Sequence, residues 1–430
     1  MKQFSQEFIF GTATSSYQIE GPASVDGRTP SIWDTFSYTP GKVLGGDTGD
    51  VACDHYNRME EDIQNIKNLG VDSYRFSIAW PRIFPKQGQY NPKGMEFYKK
   101  LAKRLMEEGI KPLVTIYHWD LPQWADNLGG WINRESVEWF MEFAKKCFEE
   151  LDEYVAQWIT HNEPWCATML GYHQGVHAPG HTNLDDAVKA AHHILLSHGQ
   201  AVRYYKSEFA GQKPIGITLN LSPVYAASET MNDQLAANNQ DGYLNRWFLD
   251  PIFKAKYPED MMNLFSKFVH DYNFIQEKDL QIISTPCDFF GINYYNRFLI
   301  EYSAASELLF KEAYSDYPKS GMGWDISPNE FKELIHRLRK EYTDLPIFIT
   351  ENGAAFDDVL EEDGTVKDHD RVDYVEKHLT VVAELNEEGM NVAGYFLWSL
   401  LDNFEWAFGY EKKIRNLFCR FQNAKKIYEK

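Results

Sequence analysis

The chain has 430 residues, 43% of them hydrophobic, which is enough for a large buried core built as one barrel or as two or three domains. A net charge of −20 repels nucleic acid and anionic membrane surfaces, so neither is an expected partner, and no apolar run approaches the roughly 20 residues that span a bilayer. The opening MKQFSQEFIFGTATSSYQIEG has no apolar leader segment, and the five scattered cysteines include no CxxC, so reduced thiols and a cytoplasmic setting are expected.

Eight short apolar, β-branched or aromatic runs read as strands. EFIFGTATSSYQ (7–18) comes first, followed by a helix predicted over 57–69 from apolar residues at three- and four-residue spacing. VDSYRFSIAW (71–80) precedes a helix over 94–108, and KPLVTIYHWD (111–120) precedes one over 134–151. AQWITHNEP (156–164) leads to a helix over 184–209, and PIGITLNLSP (214–223) is next. CDFFGINYY (287–295) is followed by a helix over 328–342, and LPIFITENG (345–353) by one over 371–388. VAGYFLWSLLDN (392–403) is the last run.

Strands alternating with helices predict an α/β fold with a parallel sheet, and near-continuous apolar strands suit burial on both faces. Eight such units close a (β/α)8 TIM barrel. An open doubly wound sheet is the rival, but it usually carries a Gly-rich phosphate loop after its first strand, and GTATSSYQIEG is not GxGxxG. No linker or low-complexity stretch divides the chain, so residues 1–430 are expected to form a single domain.

In such a barrel the active site is built at the C-terminal strand ends. Those ends supply Gln18, Arg75, His118, Trp119, Asn162, Glu163, Asn220, Asn293, Tyr295, Glu351, Asn352 and Trp398. Amides and imidazole suit hydroxyls, and indoles suit sugar ring faces. No metal-ligand spacing occurs at these ends, so neither metal nor cofactor is expected. Glu163 and Glu351 end the fourth and seventh runs, from which they can face each other across the mouth. Two opposed carboxylates over a sugar pocket are the equipment for cutting a glycosidic bond. Each also has a plainer reading. Glu163 suits a helix-capping carboxylate before Pro164, and ITENG suits a strand with an Asn-Gly turn. Glu405, between aromatics in LDNFEWAFGY, reads as a solvated loop residue or, beside Trp406, as an acceptor for sugar hydroxyls. His192 and His193 read as packed or surface residues on a helix, and Trp33, Trp131, Trp139 and Trp158 as packing. His55, His173 and His177 fall in loops.

The stretches FIFGTATSSYQIEG, YRFSIAWPRIFP, YHWDLPQW, THNEPW, FFGINYY, ITENG and WSLLDNFEWAFGY together resemble glycoside hydrolase family 1, the retaining β-glucosidases. The resemblance implies Glu163 as general acid/base and Glu351 as nucleophile. It implies Arg75 and Tyr295 as the groups that orient the nucleophile and keep it ionised, with Asn293 supporting the acid/base side. It assigns Asn162 to the sugar 2-hydroxyl, and Gln18, His118, Trp119, Trp398, Glu405 and Trp406 to the glycone. Trp324, in GMGW, resembles the aromatic that flanks the aglycone. Glu405 stands where phosphosugar-cleaving members accept a phosphate, so an unphosphorylated O-β-glucoside is expected, with β-galactosides and β-fucosides as further substrates. A 6-phospho-β-glucosidase and a non-catalytic sugar-binding barrel are the alternatives.

The resemblance breaks in the tail. After EWAFGYEKK the family pattern is roughly RFG-YVD-TQKR, a final helix and a Trp-Tyr pair, whereas this chain reads IRNLFCRFQNAKKIYEK over 414–430. One choice of synonymous codons for that tail, read one base later, spells FGIYFVDFKTQKRFMK. A frameshift near Lys413 is therefore expected, leaving the eighth helix missing or non-native; a naturally short tail is the alternative.

Overall fold

The structure, a computed structural model, describes residues 4–21, 24–358, 361, 366–414, 418–422 and 425–429. Eight parallel strands close into a barrel: β1 (Ile9–Ala13), β2 (Ser73–Ser77), β3 (Lys111–Tyr117), β4 (Gln157–Asn162), β5 (Ile215–Asn220), β6 (Phe289–Asn293), β7 (Ile347–Asn352) and β8 (Val392–Trp398). Each pairs with its neighbour in sequence, and β1 closes the ring by pairing with both β2 and β8. All eight coincide with the predicted runs.

A helix follows each of the first seven strands. These are α1 (His55–Leu69), α2 (Pro92–Glu107), α3 (Ser136–Leu151), α4 (Leu184–Ser207), α5 (Trp247–Lys254), α6 (Pro328–Glu341) and α7 (His369–Glu387). Local chemistry sets their ends. Pro92 and Pro328 open α2 and α6, where a missing N–H costs nothing and φ is already helical. The Asn183 side chain accepts from the Asp185 N–H at the start of α4, and Asp185 and Asp186 complement the helix dipole there. Gly70 ends α1 with φ 70°. The sequence pattern does not predict α5: Pro251 lies inside it and Gly242 interrupts the helical run that leads to it.

Inside the barrel Leu113, Ile159, Phe289, Phe348 and Phe396 form an apolar plug. Gly11 of β1 lies against it, where a Cβ would sit 2.3 Å from the Phe396 ring. The plug fills the lower barrel, so polar side chains are left to the upper strand ends. A small sheet (Val224–Ala226, Phe298–Tyr302, Phe310–Glu312) stands on the rim.

Beyond β8 no α-helix follows among the described residues. Phe418–Gln422 and Lys425–Glu429 instead pair as an antiparallel ladder. The remaining tail positions, 415–417, 423–424 and 430, lie outside the described residues.

Candidate active site

Register brings the predicted residues to one level. Ala13 pairs with Trp398 and with Arg75, and Glu351 pairs with Asn293 after a register shift in β7. Each shift at a strand top re-aims the side chains that follow.

Each oxygen of Glu351 receives a donor. Arg75 Nη1 donates to its Oε1 at 2.6 Å and the Tyr295 hydroxyl to its Oε2 at 2.6 Å. Arg75 is itself buried and donates through Nη2 to Asn162 Oδ1 at 2.6 Å. Burial pushes the Glu351 carboxyl above the usual carboxylate value, and the Arg75 charge and the Tyr295 hydrogen bond offset only part of that rise.

Glu163 is provided for differently. Its N–H continues the ladder to Thr218 O at 2.9 Å, then its backbone turns to φ 46°. That left-handed conformation is strained in a residue with a Cβ, and such strain concentrates at functional sites. Pro164 follows, and the chain enters the helical turns of Cys166–His173. The Glu163 carboxyl receives Asn293 Nδ2 at 2.6 Å and the Cys166 thiol, but no cation of its own. Burial, and secondarily the Glu351 charge, push it up to about 8. Like-charge repulsion from Glu351 is thus the smaller cause.

The amide and imidazole orientations follow from these bonds. Asn162 Oδ1 accepts from Arg75 and from Asn293 Nδ2 at 3.1 Å, so its Nδ2 faces His118 Nε2, also at 3.1 Å. His118 Nε2 is then the acceptor, which assigns its proton to Nδ1, a buried atom without a partner in the cavity wall. Burial and Arg75 hold this imidazole neutral, far below the usual histidine range.

Around these groups lies a cavity of about 450 Å³. His118, Trp119, Asn293, Tyr295, Trp324, Trp398, Glu405 and Trp406 line it together with Glu163 and Glu351. The His118 ring stacks 6.0 Å from both Trp398 and Trp406, and Trp324 packs 5.4 Å from Tyr295. Burial and the Glu351 charge raise Glu405 to about 8. Arg75 and Asn162 act from beneath the lining. Gln18 is not brought to it: Nε2 donates to Asn403 Oδ1 and Phe404 O, both at 2.9 Å, and Oε1 accepts from Ser15. Gln18 thereby clamps the loop that carries Glu405. Trp33, Trp131, Trp139 and Trp158 are buried in the core, as are His192 and His193.

Several lining residues have no role in the sequence reading. Trp165 and Cys166 directly follow Pro164, a position that could have marked them. Asn220 is a strand end, and its Oδ1 is buried without a partner. His177 and Met322 come from irregular loops that carry no periodic signal, and Phe408 from the short 3-10 turn Trp406–Phe408.

A closed (β/α)8 barrel with two buried carboxyls beneath an aromatic, amide-lined cavity defines the class of enzymes that cleave glycosidic bonds. The profile of glycosyl hydrolase family 1 matches residues 1–428, and the chain belongs to that family. It is 44% identical over 427 residues to β-glucosidase A of Acetivibrio thermocellus, covering 98% of this chain and 95% of that one. It is 41% identical to the bifunctional β-D-glucosidase/β-D-fucosidase of Bifidobacterium breve, covering 99% and 95%. The crystal structure of the β-glucosidase from Exiguobacterium antarcticum superposes with a TM-score of 0.98 at 66% identity, covering 100% of this chain and 96% of that one.

Proposed function

We propose that the chain is a retaining β-glucosidase, with Glu351 as nucleophile and Glu163 as acid/base. The observation that carries the assignment is the unequal provision for two carboxyls in one cavity. Glu351 holds an arginine and a tyrosine hydroxyl, which favour the ionised form. Glu163 has no cation and sits near 8, so it keeps its proton at neutral pH.

The Glu351 carboxylate attacks the anomeric carbon while the Glu163 proton passes to the departing glycosidic oxygen. A glycosyl–enzyme ester forms through an oxocarbenium-like transition state, and the Arg75 and Tyr295 bonds to Glu351 loosen as its charge disappears. Glu163, now ionised, takes a proton from water. The resulting hydroxide displaces Glu351 and releases a β-configured sugar. The His118 Nδ1–H meets a sugar hydroxyl, Asn162 orients that imidazole from beneath, and Trp398 and Trp406 meet ring faces.

Among the described residues lining the cavity none is lysine or arginine, and Glu405 is present, which supports a neutral glucoside over a phosphorylated one. Cello-oligosaccharides and aryl glucosides are the proposed substrates, with β-galactosides and β-fucosides alongside. No helix among the described residues is long and apolar enough to cross a membrane. Cys147, Cys166 and Cys287 are buried thiols outside any disulfide, which supports a reducing, cytoplasmic setting and a part in using cellulose fragments taken into the cell. A single domain over residues 1–430 completes the reading.

The test is Glu351→Gly with an activated aryl β-glucoside. Turnover disappears; azide or formate, entering the space vacated, restores cleavage and gives an α-configured product. Rescue with a β-configured product overturns the nucleophile assignment.

A further inference from the structure

Beneath the two carboxyls runs a chain of hydroxyls and amides that no step above uses. Thr218 lies on β5, and Thr350 lies on β7 immediately before Glu351; both are buried. Between them β6 carries Gly291, which pairs with Thr218. A Cβ at Gly291 would stand 2.2 Å from Thr218 Oγ1 and 3.1 Å from Thr350 Cγ2, so a side chain there would push the two hydroxyls apart. With glycine they meet at 3.2 Å, and Thr350 Oγ1 lies 2.7 Å from Asn293 Oδ1.

The direction of each hydrogen bond in this chain follows from Arg75. A guanidinium only donates, so Asn162 presents Oδ1 to it. The group of Asn293 that faces Asn162 Oδ1 at 3.1 Å is therefore its NH2, which also donates to Glu163 Oε1 at 2.6 Å. The Asn293 oxygen is left facing Thr350, whose hydroxyl donates to it. Thr350 has one proton to give, so Thr218 is the donor where the two threonines meet. Each bond accepted in such a chain strengthens the next one donated. Thr218 thus holds Glu163 from two sides: its carbonyl accepts the Glu163 N–H at 2.9 Å, and its hydroxyl begins the chain that ends on the Glu163 carboxyl. An Asn293 amide turned over would set oxygen against Glu163 Oε1, a contact that suits only the protonated carboxyl.

We propose that Thr350, backed by Thr218, is a positioning residue that fixes the Asn293 amide with its NH2 group on Glu163. The proposal rests on the acid/base reading of Glu163 and adds how that group is held. It bears on the second half of the reaction, when Glu163 is ionised and takes a proton from water. The Asn293 bond favours the ionised form. The charged and titratable groups that also face Glu163 are Glu351 on β7, Arg75 on β2, Tyr295 beyond β6 and the Cys166 thiol beyond β4. A change confined to the Thr350 hydroxyl leaves all four in place.

The experiment is the pH profile of kcat/KM for cellobiose in the full-length enzyme, with Tm measured for each variant to show that it is folded. Thr350→Val keeps the shape of the side chain and removes the hydroxyl; its alkaline limb moves to higher pH by about half a unit to one unit, the worth of one hydrogen bond. Thr350→Ser keeps the hydroxyl, and its limb stays at the wild-type pH. Thr218→Val leaves the Thr350 bond to Asn293 in place and moves the limb in the same direction by less. If the wild type shows no alkaline limb, the acid/base reading falls and the positioning role with it. If the limb is present but unmoved in Thr350→Val, or moves as far in Thr350→Ser, the positioning role alone is overturned.

Discussion

Glu163, Glu351 and Glu405 share one cavity, and their neighbours alone distinguish them. Glu163 must hold its proton in the free enzyme, so kcat/KM for a glucoside falls as pH rises through about 8. Glu163→Ala removes that alkaline limb for an aryl glucoside whose leaving group needs no proton, while an unactivated disaccharide is barely cut. A limb that persists at the same pH in the variant assigns it to another group. Glu405 has a stability consequence. Its folded-state pKa of about 8 lies above the unfolded carboxyl value, so between the two the folded state binds more protons and stability falls as pH rises. Glu405→Gln removes this dependence. Denaturation midpoints at about pH 5 and about pH 8 measure it: the variant gains on the wild type at the higher pH by on the order of 1 kcal/mol or more. An equal difference at both pH values rules out the charge as the cause.

At the scale of elements, the barrel interior is packed against its own backbone. Gly11 of β1 has the Phe396 ring at 2.3 Å and Ser73 O at 3.0 Å from where a Cβ would stand. Phe396 cannot withdraw easily, because it belongs to the apolar plug with Phe289 and Phe348. Gly11→Ala therefore destabilises by about 1–3 kcal/mol through overpacking and lowers Tm, while kcat well below the transition is little changed. An unaltered Tm means that the ring turns aside at no cost. Strands and helices such as α2 and α6 were legible because an apolar period is a local property of the chain. The elements that escaped were α5, where Pro251 and Gly242 obscure the period, and the rim sheet, where Val224–Ala226 pairs with Phe298–Ile300, far away in sequence.

For the whole molecule, the seam between β8 and β1 is where the tail matters. In a (β/α)8 barrel the helix after the eighth strand covers that seam. Phe10 and Leu397, on the two strands there, are only half-buried. The frameshift reading of the tail predicts that a chain continued in the other frame, through FGIYFVDFKTQKRFMK from position 414 and on into the final helix of the family pattern, buries both and melts several degrees higher, at roughly 2–4 °C per kcal/mol. Intact mass from the native source, with resequencing of the stretch, provides the direct check. An in-frame confirmation of the printed tail, or no gain in Tm, ends that reading.

The sequence by itself determined the eight strand–helix units, the barrel they close and the acidic and aromatic residues at their C-terminal ends. Those depend on local periodicity, and the barrel topology then fixes which strand ends converge. Only the tertiary structure decided how the convergent groups differ. It withheld a cation from Glu163, turned Gln18 to the loop instead of the cavity, and brought Trp165 into the cavity wall. Burial and hydrogen-bond partners are contributed by residues remote in the chain, and a carboxyl's pKa is set by those partners, so no window of sequence around Glu163 or Glu351 contains it.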